Sequence, residues 1–101
     1  FAISMEGFLI IIDNHSGNII RITDIFRQFK KKKRLRIKPV GFIVGSENIY
    51  LTTDHGRLMI IDIITGRTKS MLKIDNDKIS RPFVLNQNLY IIKENSIIRL
   101  N

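Results

Sequence analysis

The sequence predicts an all-β fold, a partial β-propeller of about two and a half four-stranded antiparallel blades. Three observations carry that expectation. The chain repeats itself at blade length, its apolar runs are of strand length without a polar face, and turn signals separate them at short intervals. Composition agrees: 21 of the 101 residues are isoleucine and alanine is almost absent, a bias towards strands.

The repeat is the most informative of the three. Residues 7–25 read GFLIIIDNHSGNIIRITDI and residues 56–74 read GRLMIIDIITGRTKSMLKI. A shift of 49 residues places Gly7 on Gly56, Leu9 on Leu58, Ile11 on Ile60, Ile12 on Ile61, Asp13 on Asp62 and Gly17 on Gly66, with Ser16 on Thr65. A second echo joins the stretch beginning at Pro39 to the one beginning at Pro82. Its spacing is 43 at the prolines and 40 at Tyr50 and Tyr90, so the first hairpin of the later unit is three residues shorter. Periods of this size belong to propellers and solenoids.

Element by element, the central unit is the most complete. PVGFIVG (39–45) is its first strand, and Ser46-Glu47-Asn48 turns the chain into NIYLTT (48–53). Asp54-His55-Gly56 turns it again, with Gly56 free to take positive φ. RLMIID (57–62) is the third strand, and RTKSMLKI (67–74) follows the Ile63-Ile64-Thr65-Gly66 turn as the fourth. The expected organisation is therefore a partial blade over 1–25 with the second to fourth strands and a basic inter-blade excursion over 26–38. A complete blade over 39–74 and a partial blade over 75–101 with the first three strands follow. LIII (9–12), LMII (58–61) and LYII (89–92) are apolar on both sides, which predicts strands buried on both faces. Arg67, Lys69 and Lys73 make the fourth strand more polar, as an outer edge requires. Ile25, Phe26 and Phe29 stand at helical spacing and are expected to cover an edge.

The Asp13-x-x-Ser16-Gly17 and Asp62-x-x-Thr65-Gly66 motifs have a conformational reading. The Asp carboxylate accepts hydrogen bonds from turn amides and the Gly supplies a left-handed residue. GFIVGSENIYLTTDHGRLMIIDIITGR (41–67) resembles the repeat of pyrroloquinoline-quinone-type propellers, whose core ends L-Y-A-L-D-x-x-T-G-K. The resemblance takes in nearly the whole chain outside 26–38, and among such proteins it is nearest to the BamB family of outer-membrane β-barrel assembly lipoproteins. That resemblance implies a non-catalytic, eight-bladed periplasmic scaffold that binds the barrel-assembly machinery. It also implies that this chain is the C-terminal segment of a longer protein, in keeping with a start at Phe1 and a stop after a third strand. Quinone-dependent dehydrogenases share the repeat and are the alternative. The Trp platform and vicinal Cys pair that the resemblance associates with them have no counterpart in a chain without Trp or Cys, and neither does a calcium site.

Charge supplies the sharpest local feature. Residues 30–38, KKKKRLRIK, hold seven basic side chains and no acid; without them the chain has ten basic and nine acidic residues, so the net +8 belongs to one segment. Lys30, Lys31, Lys32, Lys33, Arg34, Arg36 and Lys38 form a candidate anion- or partner-binding patch suited to an anionic membrane surface, an acidic protein or a nucleic acid. The bland alternative is a solvated excursion between blades. No aromatic residue interrupts the run, which argues against single-stranded nucleic acid.

Other chemistry finds little support. The absence of cysteine excludes disulfides, thiolate metal sites and Cys nucleophiles. His15 and His55 lie 40 residues apart in turns without neighbouring ligands, and no Ser stands in a nucleophile elbow. Gly41 and Gly45 flank a strand and do not form a phosphate loop, while Lys38 and Arg81 precede the two inner strands and would line a central channel in one of two registers. No apolar run approaches a membrane-spanning helix in length. The expected activity is thus protein binding without catalysis, cofactor or metal. An isolated piece of a ring would expose two apolar faces and is expected to self-associate.

Overall fold

Short β-branched runs bounded by Gly, Asn or Asp extend and pair with the nearest run that matches them. The computed structural model describes residues 1–30, 36–76, 79–93 and 96–100, and in it these runs form ten strands with antiparallel pairing throughout. The chain divides into two compact units, Phe1–Lys38 and Pro39–Asn101. The first holds one three-stranded sheet of β1 (Ala2–Ile3), β2 (Phe8–Ile12) and β3 (Ile19–Asp24), ordered β1-β2-β3. The second holds a four-stranded sheet of β4 (Pro39–Val44), β5 (Asn48–Thr53), β6 (Arg57–Asp62) and β7 (Thr68–Lys73), in sequence order. It also holds a three-stranded sheet of β8 (Phe83–Leu85), β9 (Asn88–Lys93) and β10 (Ser96–Arg99). The all-β class is as the sequence predicts.

The 49-residue period extends down to individual hydrogen bonds. In the first unit Gly7 donates to the Ser4 carbonyl and Phe8 N–H donates to Ser4 Oγ; in the second Gly56 donates to the Thr53 carbonyl and Arg57 N–H to Thr53 Oγ1. Ile25 N–H then closes on the Gly7 carbonyl at 3.0 Å, as Ile74 N–H does on Gly56 at 2.9 Å. Gly7 and Gly56 both adopt positive φ, at 92° and 71°. Ser4 and Thr53 are therefore the same structural residue. Both place a hydroxyl where it satisfies an amide of a tight turn.

The contracted repeat unit saves its three residues in a strand. Both first hairpins turn through two residues, Ser46-Glu47 and Asn86-Gln87. The inner strand, however, shrinks from six residues in β4 to three in β8. The shorter hairpin uses a different turn, because Asn86 and Gln87 both have positive φ, 50° and 65°, the geometry of the primed turns that match strand twist.

Two expectations need correction. Ile25, Phe26 and Phe29 do not lie on a helix; residues 25–28 form consecutive turns. Asp24 Oδ1 accepts from Phe26 N–H at 3.1 Å, and Phe29 N–H closes on the Phe26 carbonyl at 2.9 Å. The Asp24 bond is of the kind that opens a helix, but the four turn residues after it are too few to sustain a helical nucleus. Burial on both faces holds for β6, where Leu58 and Met59 point to opposite faces and both are buried. It does not hold for β2 or β9. Leu9, Leu89 and Ile91 are buried, while Phe8 and Ile12 on β2 and Ile92 on β9 are exposed, so each of these strands has one covered and one open face.

The first unit is keyed by Phe26. Its ring is fully buried, meets Phe29 edge-on at 5.6 Å, and lies over Gly7 so closely that a Cβ there would collide with the ring. Gly17 shares the positive φ but has open space around it. Gly7→Ala should therefore cost about 3 kcal/mol, from backbone strain plus overpacking, and Gly17→Ala only about 1 kcal/mol from strain. Urea unfolding of the two variants should separate them. In the other unit, Gln87→Gly should raise stability by about 1 kcal/mol, because only that residue type takes positive φ without penalty.

Candidate functional site

Buried apolar residues lie beside the described part of the basic segment: Phe26 precedes it and Ile37 lies within it, while Arg27, Lys30, Arg36 and Lys38 are exposed. Lys31, Lys32, Lys33 and Arg34 lie outside the described residues. The described cations, Arg27, Lys30, Arg36 and Lys38, are thus presented to solvent, which raises the local positive potential.

The two D-x-x-[ST]-G turns have the same wiring. Asp13 Oδ1 accepts from His15 N–H at 2.8 Å and Ser16 N–H at 3.5 Å; Asp62 Oδ1 accepts from Ile64 N–H at 2.8 Å and Thr65 N–H at 3.0 Å. Gly17 and Gly66 donate back to the carbonyls of Asp13 and Asp62 from positive φ. The hydroxyls of Ser16 and Thr65 accept from Asn18 and Arg67 N–H. The Asp62 carboxylate is held below the ordinary aspartate range chiefly by the Thr65 amide; desolvation opposes this, and the Ile64 amide and the Lys69 ammonium at 3.7 Å add to the lowering. Every acceptor site in these turns that the hydrogen bonds describe is spent on the backbone. Their chemistry is structural.

His15 is exposed in its turn, and His55 Nδ1 lies 2.8 Å from Asp54 Oδ1 at the surface. Among the described residues no group of three His, Asp or Glu side chains is placed to hold a metal ion. Among them, too, no helix is long and apolar enough to cross a membrane. Arg81 is exposed and lays its aliphatic carbons over Gly41, a close approach that leaves no room for a Cβ. Gly41 is thus a packing glycine, a role its flanking position in the sequence did not disclose.

The second unit also contains a cavity of about 330 Å³ between its two sheets, with Tyr50, Ile60 and Leu72 on one wall and Val84, Leu89 and Leu100 on the other. No acid, lysine, arginine or histidine lines it. An apolar gap of this kind marks where two sheets meet.

Strand edges are the more distinctive surface. The outer edge of the four-stranded sheet, β7, carries Lys69, Ser70 and Lys73 as exposed residues, a charged guard against further pairing. The edge strand β3 carries Ile19, Ile20 and Ile22, all exposed, with Ile20 at 66%. The edge strand β10 exposes Ile97. No protein-family model and no curated protein sequence matches this chain.

Because Asp62 is held below its unfolded value, its charge stabilises the fold above the unfolded pKa, and that contribution disappears as pH falls through the folded pKa. The stability gap between the native chain and Asp62→Ala should accordingly be largest near neutrality and narrow in acid, below about pH 4. Chemical denaturation across that pH series reads it directly.

Proposed function

We propose that the chain is a non-catalytic β-propeller segment that serves as a scaffold for protein binding, working in the bacterial cell envelope in outer-membrane protein assembly. The observation that carries this reading is the apolar exposure of one sheet edge: β3 presents three exposed isoleucines, whereas the exposed side chains of β7 are mostly polar, Lys69, Ser70 and Lys73 beside Leu72. An unguarded edge offers main-chain donors and acceptors to an incoming strand, and its side chains give that strand an apolar surface to match. The repeat supports the propeller part of the reading, since the Ser4/Thr53 and Asp13/Asp62 turns recur with the same hydrogen bonds. The envelope assignment rests on the resemblance of residues 41–67 to the repeat of the BamB family, and the periplasmic location rests on it too.

A second reading has its own observation. Lys30, Arg36 and Lys38 are exposed while Phe26 and Ile37 near them in sequence are buried, so the segment would hold an anionic surface close to the fold. Replacing the seven basic residues of 30–38 by Ser or Gln should then abolish salt-sensitive binding to anionic liposomes.

For the first reading, the decisive substitution is Ile20→Lys, which guards β3 while altering a mostly exposed side chain. Co-purification from envelope extracts with the barrel-assembly components is expected for the native chain and should fall at least tenfold for Ile20→Lys. Retention of the native chain's partners by the lysine variant would rule out edge pairing at β3.

A further inference from the structure

We infer that copies of this chain associate head to tail, the open face of the β8–β10 sheet of one copy seating on the open face of the β1–β3 sheet of the next. Inside the second unit one sheet already packs on another. There the four-stranded sheet turns Tyr50, Leu58, Ile60 and Leu72 towards Val84 and Leu89 of the β8–β10 sheet. The face bearing Tyr50 and Ile60 can be called the forward face, and the face that receives it the backward face.

Repeat register assigns the same two faces to the other sheets. The 49-residue shift places Leu9 and Ile11 on Leu58 and Ile60, so the forward face of the first sheet carries Leu9 and Ile11. Its backward face then carries Phe8, Ile10 and Ile12, with Ile22 paired to Ile10. This backward face is open: Ile22 is 56% exposed, and a shallow hollow of about 360 Å³ lies among Glu6, Phe8, Ile10 and Ile22. The 40-residue shift places Tyr90 on Tyr50, so the forward face of the β8–β10 sheet carries Tyr90. Phe83, Ile92 and Ile97 share that face by strand register. It too is open, with Ile97 68% exposed and Phe83 stacked on Tyr90 at 5.7 Å.

One chain therefore presents an uncovered backward face and an uncovered forward face, the two halves of the contact it already makes once internally. Charge agrees with that pairing. Glu6 borders the backward face, and Arg99, opposite Tyr90 in the ladder, lies on the forward face. Two forward faces would bring arginine to arginine, and two backward faces glutamate to glutamate. The contact is consequently heterologous: each copy uses one surface to give and another to receive.

Single charged substitutions at exposed positions test the polarity. Ile22→Lys blocks the backward face and Ile97→Lys the forward face, and circular dichroism should show both variants folded. In light scattering at high micromolar concentration, the native chain should exceed dimer mass and rise further with concentration. Each variant alone should remain monomeric. Mixed in equal amounts, they should form one heterodimer, doubling the mass, because each retains the face the other has lost. A monomeric native chain, a variant that self-associates alone, or a mixture that stays monomeric would each overturn the proposal.

Discussion

A sheet whose strands are apolar on both faces leaves unfavourable surface in water unless something lies over each face, and most of this architecture follows from that constraint. LMII at 58–61 meets it fully, with Leu58 buried on one face of the four-stranded sheet and Met59 and Ile61 on the other. The three-stranded sheets meet it on one face. Leu9 and Ile91 are buried while Ile22 and Ile97 stand exposed. At about 25 cal/mol per Å² of apolar surface, an uncovered sheet face is a strong incentive to association.

Short polar side chains make such stacking possible by closing the strands into compact hairpins. Asp13, Asp62, Ser4 and Thr53 each satisfy amides that a tight turn would otherwise orphan, and the glycines after them take conformations other residues resist. Thr53 is itself buried, so its hydroxyl is useful only because it is hydrogen-bonded to His55 and Arg57 N–H. Between the two sheets of the second unit, the connection is held by Arg57, which donates to the His55 and Asp75 carbonyls at 2.7 and 3.0 Å. Ser80 secures its far end by accepting from Ile92 N–H and donating its own N–H to the Ile92 carbonyl. The exposed surfaces that remain are an isoleucine-lined edge and two apolar faces.

Much of this was legible in the residues. Strand positions in the central sheet could be read almost to the residue, because Gly56 and Gly66 punctuate runs whose length matches a strand. The role of Asp13 and Asp62 follows from residue type and spacing alone. The candidate basic patch was legible as charge, though charge alone does not say what it meets. Other features left weaker traces. Ser4 and Thr53 align at the 49-residue shift but differ in type, and only their identical hydrogen bonds show that they do one job. The spacing of Ile25, Phe26 and Phe29 suits a helix, yet the segment is short and forms only consecutive turns.

By itself, then, the sequence determined the strands, their turns and the repeat, because these depend on local conformational preference and on apolar period. Which faces would be covered was decided only by tertiary structure. LIII, LMII and LYII are equivalent as patterns, and a pattern cannot record whether another sheet lies above it. Gly7 and Gly41 make the same point at the scale of one atom, since each is required by a side chain far along the sequence, Phe26 or Arg81, that only folding brings to it.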